Sequence, residues 1–326
     1  MTLPAILFED TGELGNRLVT YAHLLALSLH YKVPVANLCF WRHRAHLQWR
    51  SRSIIEQPWE DEWYKENDLS PQRHLNNCDI CRFPLGRCFQ RRLTFGGELI
   101  IHTSLLLQRT LGFALRSLLS YSLVRKGVSL FYAIENCRVD GHLFSILIPR
   151  LFANESLVQS DRLQRWSPIV RNRLALRSVY TDLAKEQLVN CKLGPGFTRI
   201  GIHIRRGDYR VYHDGKYYFD DNLYFRVVKT LATLFGNQVQ FVLASNEALD
   251  DLTEGLFPGS EFVVAPTDPL VTLAALGQCA VIIGPPSTFS GWASFAYEVP
   301  VAFIEQPNVP VQTLLAKGNV WKPRWY

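Results

Sequence analysis

One apolar segment of the chain ends in side chains that bind anions. Residues 201–209 read Gly-Ile-His-Ile-Arg-Arg-Gly-Asp-Tyr, and the apolar part predicts a buried strand. Because side chains alternate along a strand, we expect His203 and Arg205 on one face and Arg206 on the other. The planar guanidinium of Arg205 at the end of such a strand suits phosphate oxygens. For Arg206 with Asp208, a structural ion pair is the equal alternative.

A second segment places hydroxyl groups at the start of a helix. Residues 280–292 read Ala-Val-Ile-Ile-Gly-Pro-Pro-Ser-Thr-Phe-Ser-Gly-Trp, which is typical of a strand, a tight turn and a helix. The free N–H groups of a helix N-terminus, with the hydroxyls of Ser287, Thr288 and Ser290, predict an anion site that requires no metal. Helix capping by Ser287 or Thr288 alone is the alternative.

A third segment lies between an apolar strand and a long helix. Residues 10–17 read Asp-Thr-Gly-Glu-Leu-Gly-Asn-Arg. Gly12 and Gly15 permit tight backbone geometry, Asn16 offers an amide, and Glu13 stands at the helix start as a potential base. Alternatively, the two glycines serve only the turn.

The elements that must position these segments alternate between strands and helices in the second half of the chain. This alternation predicts an α/β fold with a parallel, doubly wound sheet. The predicted strands are 198–204, 239–244, 261–265, 280–284 and 301–304, and the predicted helices are 222–234, 248–256, 270–277 and 291–298.

The first half repeats this pattern less regularly and predicts a second Rossmann-like domain facing the first across a cleft. Its predicted strands are 5–8, 33–39, 98–101 and 128–134, its predicted helices are 15–31 and 105–124, and an irregular insertion covers 40–93. We place the domain boundary between residues 185 and 186, ahead of a Gly-Pro-Gly turn, so that the domains span 1–185 and 186–326. The aromatic C-terminal tail is expected to anchor against a domain, with the first domain as one candidate.

Composition limits the function classes. The chain has 326 residues, of which 48% are hydrophobic and 20% charged, and its net charge is +6, as expected for a folded protein that favours anionic ligands. No basic tract indicates nucleic acid. Seven cysteines cannot all pair, and a single Cys-x-x-Cys at 78–81 is only half a zinc site, so we expect reduced thiols and no metal. The first residues do not read as a signal peptide, which predicts a cytoplasmic location.

The three segments together resemble the fucosyltransferase superfamily that includes bacterial α-1,2-fucosyltransferases, α-1,6-fucosyltransferases and protein O-fucosyltransferases. Residues 203–209 match its H-x-R-R-x-D motif, residues 14–17 are similar to its Leu-Gly-Asn-Gln, and residues 287–290 to its Ser-Ser-Phe-Ser. The resemblance implies a glycosyltransferase B fold with two facing Rossmann-like domains. It also implies inverting, metal-independent transfer of fucose from GDP-fucose to a hydroxyl of a glycan acceptor, with no cofactor.

The resemblance also implies roles by position. Arg205 would hold the donor β-phosphate, His203 would approach the guanosine or diphosphate, and Asn16 would reach across the cleft to the donor. Residues 245–247, Ser-Asn-Glu, resemble a segment near the nucleoside. The complete implied donor-binding set is Gly15, Asn16, His203, Arg205, Arg206, Asn246, Ser287, Thr288, Phe289 and Ser290.

The implied catalytic set is Glu13, Arg205 and Asp208. Residues 12–16 resemble the Gly-Glu-Gly-Phe-Asn loop of one protein O-fucosyltransferase branch, whose glutamate is the catalytic base. Asp208 and Asp214 are the alternatives for that base. Two positions depart from the family pattern: Thr272 stands near a position where relatives carry an aspartate that contacts guanine, and Arg17 stands where most carry glutamine.

Other interpretations stay open. One is transfer from another nucleotide-sugar donor, and another is a catalytically silent nucleotide-sugar-binding protein. The basic amphipathic segment 105–126 packs on a sheet or makes peripheral contact with the inner face of a membrane. Tryptophans and arginines between residues 41 and 59 form either a carbohydrate platform or an exposed basic loop. The acceptor, the linkage and the oligomeric state are not predicted.

Overall fold

The computed structural model describes most of the three segments that carry the motifs. The described residues are 5–10, 13–37, 40–48, 56–58, 131–139, 142–149, 157–189, 197–247, 249, 261–264, 268–316 and 318–321. Outside them lie most of the predicted insertion 40–93, the strand 98–101, the helix 105–124, the Cys-x-x-Cys pair and almost all of the helix 248–256. No helix within the described ranges is long and apolar enough to cross a bilayer.

The chain divides into two compact units. Unit 1 comprises Met1–Ala45 and Trp49–Arg173, and unit 2 comprises His46–Gln48 and Leu174–Tyr326. The division therefore falls after Arg173, ahead of the predicted boundary after residue 185. The physical reason is the next helix, Ser178–Val189, which packs against a helix of unit 2.

Unit 1 has a mixed four-stranded sheet in the order β2-β1-β4-β3. Its elements are β1 (Ala5–Asp10), α1 (Leu14–Tyr31), β2 (Val35–Asn37), β3 (Phe131–Val139), β4 (His142–Pro149) and α2 (Ser160–Arg173). Strand β1 pairs in parallel with β2 and antiparallel with β4, and β4 pairs antiparallel with β3. Strand β4 and the antiparallel pairing were not predicted from the sequence.

Helix α1 is buried along most of its length. Leucine and alanine dominate its sequence, and glycine occurs only in its first turn, so propensity and burial both favour a helix. It packs against α2. The helix ends where Lys32 adopts a left-handed conformation with φ 53° and its N–H bonds to the carbonyl of Ser28.

Unit 2 has a five-stranded sheet in the order β7-β6-β5-β8-β9, and every pairing in it is parallel. Its strands are β5 (Thr198–Ile204), β6 (Val239–Ser245), β7 (Glu261–Val264), β8 (Val281–Gly284) and β9 (Val301–Phe303). Its helices are α3 (Ser178–Val189), α4 (Asp221–Phe235), α5 (Pro269–Leu276), α6 (Thr288–Tyr297) and α7 (Val311–Ala316). The predicted α/β class is confirmed, and each predicted strand of this half matches within one or two residues.

Counted along the chain, this strand order is 3-2-1-4-5, which is the Rossmann order 3-2-1-4-5-6 without its last strand. The order reverses between β5 and β8. In open α/β sheets, ligands bind outside the carboxyl ends of the strands at this reversal. The β5 face that carries Ile200, Ile202 and Ile204 packs on the apolar side of α4 and fixes the strand in the core.

The described part of the C-terminal tail lies on unit 2. The ring of Trp321 packs directly on Gly291 of α6, and its backbone N–H donates to Ser294 Oγ at 2.9 Å. The first domain was one candidate for the contact of the tail, but Trp321 packs on the second domain. Residues 322–326 lie outside the described ranges.

Candidate functional site

The end of β5 separates two neighbouring arginines, as the strand period predicts. Ile202 and Ile204 belong to the core beside α4, and Arg206 continues on that side. His203 and Arg205 lie on the other side, where their contacts are Phe289, Tyr209 and Asp208. One face of the strand therefore stabilises the fold, while the other presents an imidazole and a guanidinium.

Glycine 284 allows β8 to approach the end of β5. A side chain at this position would collide with the carbonyl oxygen of His203. Only glycine leaves that space, so the first residues after β8 lie beside the residues that lead to Arg205. The two segments that the sequence singled out in unit 2 thus meet where the strand order reverses.

His203 is a neutral, buried imidazole. Its side chain lies against the ring of Phe289, with 5.5 Å between ring centroids, and the residue is 2% exposed. Burial, with a smaller contribution from the Arg205 charge, lowers its pKa to about 3. Within the described part of the chain, its Nδ1 has no hydrogen-bond partner. This nitrogen can therefore donate to or accept from a ligand without carrying charge.

Arg205 is held by a carboxylate and an aromatic ring. Its Nη2 donates to both oxygens of Asp208, at 2.8 and 2.9 Å, and its guanidinium lies 4.9 Å from the ring centroid of Tyr209. The Arg205 side chain is 14% exposed, whereas that of Asp208 is 56% exposed. Nε of Arg205 has no partner among the described residues. The ion pair suggested for Asp208 exists, but its partner is Arg205 and not Arg206.

Arg206 is built into the fold. Its guanidinium donates to the carbonyl of Phe219 at 2.5 Å and to the carboxylate of Asp221, and it lies over the rings of Tyr218 and Tyr224. It is 7% exposed. These contacts hold the loop after β5 against the start of α4, so Arg206 has a structural role. Its guanidinium does not lie beside that of Arg205, although the two residues are adjacent in the sequence.

Asn246, at the end of β6, also supports this edge. Its amide accepts from the backbone N–H of Arg206 at 2.8 Å and donates to the Arg206 carbonyl at 3.3 Å. Gly207 follows with φ 55°, a conformation that favours glycine, and turns the chain away from the sheet. Asn246 thus shapes the loop after β5, and its implied donor contact stays a prediction.

The first turn of α6 has the predicted cap, and the predicted anion site there stays a prediction. Ser287 caps the helix, because its Oγ accepts from the N–H of Phe289 at 3.2 Å, and the buried Ser290 hydroxyl donates to the Ser287 carbonyl at 3.4 Å. Thr288 and Phe289 are half-buried. The capping alternative is confirmed for Ser287, and capping leaves the positive end of the helix dipole directed at the site.

Tyr209 joins the two segments, and sequence reasoning gave it no role. Its hydroxyl donates to the carbonyl of Pro286 at 2.6 Å and interacts with Ser287, while its ring contacts Arg205. Burial raises its pKa to about 12, against the opposing effect of Arg205. The sequence feature that could have indicated this role is the position of Tyr209 directly after the Arg-Arg-Gly-Asp string.

The predicted residues of unit 1 lie together at the start of α1. Glu13 is the exposed residue that precedes the helix, and its side chain makes no capping hydrogen bond. Gly15 and Asn16 are buried in the first turn, and the Asn16 carbonyl accepts from the Thr20 hydroxyl at 3.0 Å. Arg17 lies 3.3 Å from His43 Nε2.

Two further positions have clear structural settings. The Thr272 hydroxyl donates to the Asp268 carbonyl at 2.9 Å, and Asp268 caps α5 by accepting from the N–H groups of Leu270 and Val271. Asp214, an alternative base, is exposed in the loop after β5 with φ 56°. Among the residues that the structure describes, no three His, Cys, Asp or Glu side chains are grouped as metal ligands.

Comparison with known proteins gives partial likenesses of fold. No protein-family model matches the sequence, and no curated protein matches it. Similar solved structures include POFUT1 in complex with GDP, with 18% identity, a TM-score of 0.32, and coverage of 43% of this chain and 50% of that chain. NodZ alpha-1,6-fucosyltransferase from Bradyrhizobium, soaked with GDP-fucose, has 19% identity and a TM-score of 0.33, covering 47% and 51%.

A glycosyl transferase family 9 protein from Veillonella parvula DSM 2008 has 14% identity and a TM-score of 0.31, covering 46% of this chain and 49% of that one. This chain therefore spans about half the length of each of these proteins. Two of the three are fucosyltransferases and the third is a glycosyltransferase.

Proposed function

We propose that this protein is a glycosyltransferase that binds the diphosphate of a nucleotide-sugar donor between the ends of β5 and β8. One observation carries the proposal. At the point where the strand order reverses, Arg205 lies over the ring of Tyr209, and the Tyr209 hydroxyl donates to the Pro286 carbonyl just ahead of α6. The buried His203 lies against Phe289 in the first turn of α6. A guanidinium and a helix N-terminus are the two protein groups that most often bind phosphate.

The polar atoms that remain free at this edge fit an anion. Arg205 Nε and His203 Nδ1 are buried without partners among the described residues. Buried polar atoms are almost always hydrogen-bonded, so such atoms need a ligand or water. Asp208 engages only Nη2 of Arg205, so it orients the guanidinium without using Nε.

The chemistry that follows is a displacement at the anomeric carbon of the sugar. The acceptor hydroxyl oxygen forms a bond to this carbon as the bond to the diphosphate oxygen breaks, and the diphosphate leaves with the electron pair. The acceptor proton passes to a carboxylate, for which we propose Glu13. Arg205 and the α6 dipole stabilise the charge that develops on the leaving group. Attack opposite the leaving group inverts the anomeric configuration.

The finer proposal is that the donor is GDP-fucose and that the acceptor is a glycan. It rests on the resemblance of residues 203–209, 14–17 and 287–290 to fucosyltransferase motifs. We further propose that the transfer needs no metal and no cofactor, because a fixed cation and a helix N-terminus can supply the stabilisation that a divalent ion gives elsewhere.

A second candidate is transfer from a nucleotide sugar with a different base. The Thr272 hydroxyl donates to the Asp268 carbonyl, and the Asp268 carboxylate caps α5. Near the position where relatives carry a guanine-binding aspartate, the described part of this chain therefore has no carboxylate that is free to bind a base. This observation favours a donor pocket that differs from that of the fucosyltransferases in its base contacts.

Isothermal titration calorimetry tests both candidates. The full-length protein is titrated with GDP-fucose, GDP, UDP and ADP in buffer that contains EDTA. The proposal expects binding of GDP-fucose and GDP with UDP and ADP silent. Binding of UDP or ADP in place of GDP selects the second candidate. Absence of binding by all four, in a protein with a cooperative melting transition, contradicts the donor site itself.

A further inference from the structure

The loop between β5 and α4 carries a string of aromatic rings that the proposed donor site does not use. Tyr209, Tyr212, His213 and Tyr217 follow one another in contact, with ring centroids 5.3, 4.3 and 6.2 Å apart. Tilted and edge-to-face arrangements at these distances are favourable aromatic contacts. The string begins at Tyr209, whose ring lies 4.9 Å from the Arg205 guanidinium.

Exposure increases along the string from Tyr209 to His213. Tyr209 is buried, Tyr212 is half-buried and His213 is exposed. Tyr217 packs against the hydrophobic core of unit 2, whereas Tyr212 and His213 are not among the described residues of that core. Burial and core packing therefore account for Tyr209 and Tyr217, the two ends of the string. The rings of Tyr212 and His213 lie nearer the surface, beside the proposed diphosphate site.

The backbone of this loop is fixed. Successive turns are closed by hydrogen bonds from the N–H groups of Val211, Asp214 and Lys216 to carbonyls three residues earlier. His213 and Asp214 have φ angles of 48° and 56°, which residues other than glycine rarely adopt. A conformation of this kind persists only where the surrounding contacts impose it, so the backbone that carries the two rings is held in place before any ligand binds.

The charges around these rings favour a neutral ligand. The side chain of Arg210 is paired with Glu247 at 3.4 Å, and the ammonium of Lys216 lies 4.9 Å from the Tyr217 ring. Both cations are thus engaged within the loop and its neighbour. A pyranose ring presents a face of C–H groups with small positive charge, and the negative face of an aromatic ring attracts such groups.

We infer that Tyr212 and His213, whose ring planes stand 78° apart, form a corner in which a sugar ring of the acceptor stacks on one ring and meets the edge of the other. This inference rests on the proposed function, because it is the adjacent Arg205 that would hold the leaving diphosphate. A sugar stacked on these rings lies at the mouth of the donor site. Tyrosine supplies a large, rigid contact area at low conformational cost, which suits recognition of a neutral carbohydrate.

The competing explanation is that the rings only hold the loop together. Matched substitutions separate the two roles. Tyr212→Phe keeps the ring, and Tyr212→Leu keeps apolar volume without a ring. His213→Leu does the same at an exposed site, where the φ of 48° adds backbone strain that the melting temperature reports. Val211→Ala is the control, since Val211 is in the same loop and is 79% exposed.

Binding of the labelled full-length protein to a printed glycan array, in the presence of GDP, tests the inference, with melting temperature measured for each variant. The wild-type protein should bind at least one class of neutral glycan. Tyr212→Leu and His213→Leu should weaken that binding more than tenfold. Tyr212→Phe and Val211→Ala should stay within twofold, and the GDP affinity of every variant should stay within twofold of the wild type.

Two results overturn the inference. One is a wild-type protein that binds GDP but no glycan, and the other is glycan binding that survives in folded Tyr212→Leu and His213→Leu. Because GDP binding is measured separately, a failure of the proposed donor site shows as absent GDP binding in the wild type and is not confused with either result.

Discussion

The carboxyl edge of β5 and the start of α1 both contain the residue types of a catalytic site, yet the structure builds them differently. At the β5 edge, Phe289 of α6 contacts His203, the Pro286 carbonyl after β8 accepts from Tyr209, and Asp208 and Tyr209 of the following loop contact Arg205. At the start of α1, Glu13 is exposed and its side chain makes no capping bond. Contacts from several elements therefore fix the side chains of the first region, whereas no capping hydrogen bond fixes the Glu13 carboxylate in the second.

The largest expected effect is loss of transfer at the β5 edge. Arg205→Ala should lower kcat about 10²–10³-fold, because it removes a preorganised cation from the leaving group. The matched control is Arg210→Ala, which removes the same charge from an exposed side chain paired with Glu247. That variant should change kcat by less than about twofold, since exposed ion pairs contribute little. The assay measures release of GDP from GDP-fucose in the presence of an acceptor. Near-normal turnover by Arg205→Ala would contradict the proposed role of this edge in stabilising the leaving group.

The second prediction concerns the start of α1. Glu13→Gln should lower kcat about 100-fold, within the range typical of a general base, and leave GDP affinity unchanged. Asp214→Asn is the matched variant at the alternative base, and asparagine tolerates the φ of 56° at that position. Loss of activity in Asp214→Asn with full activity in Glu13→Gln would move the base to the loop after β5.

The third prediction separates the two neighbouring arginines. Arg206→Ala should lower the free energy of unfolding by about 2 kcal/mol, because the carbonyl of Phe219 and the carboxylate of Asp221 lose a charged donor. Denaturant titration followed by circular dichroism measures this loss. GDP affinity of the folded variant should stay near the wild-type value, and a selective loss of GDP binding at unchanged stability would restore Arg206 to the donor site.

The fourth prediction follows from the lowered pKa of His203. Between about pH 3 and its ordinary pKa of 6.5, His203 is neutral in the folded protein and protonated in the unfolded chain. The unfolded chain then binds more protons than the folded protein. The contribution of His203 to the free energy of unfolding is therefore fully present above pH 6.5 and is lost as the pH is lowered toward 3. From pH 6.5 to 5 the loss is about 2 kcal/mol. His203→Gln should flatten this part of the pH profile, and an equally steep profile in the variant would show that other groups cause it.

The smallest expected effect is at the α6 cap. Ser287→Ala should destabilise the protein by about 1 kcal/mol, and Ser287→Asn should retain most of the stability because asparagine is also a good cap. The backbone N–H groups of the first turn stay in place in both variants, so GDP affinity should fall less than tenfold. A larger loss of affinity in Ser287→Ala would assign the hydroxyl itself to the phosphate.

The elements of unit 2 were predictable because their apolar runs are unambiguous. Strand β5 forms at the predicted residues, Thr198–Ile204, and the period of two correctly separates His203 from Arg206. The hydrophobic pattern of a buried parallel strand needs no information from distant residues. In unit 1, β4 pairs with β1 across a sequence separation of more than a hundred residues, and no local pattern indicates that pairing.

The partners of the charged residues were less predictable. An Arg206–Asp208 ion pair was one of two alternatives, but Arg206 pairs with Asp221 at the start of α4, and Asp208 pairs with Arg205. This exchange depends on how the loop after β5 folds back on α4, which the fixed turns of residues 207–220 determine. Asn246 illustrates the same point, because its amide pairs with the backbone of Arg206.

Hydrogen–deuterium exchange measured by mass spectrometry, with and without saturating GDP, tests most directly whether the β5 edge is the donor site. The account predicts slower exchange in peptides that cover residues 205–210 and 287–291, with α3 of the same unit unchanged. Protection confined to other parts of the chain, or no change at either segment while GDP binds, would contradict it.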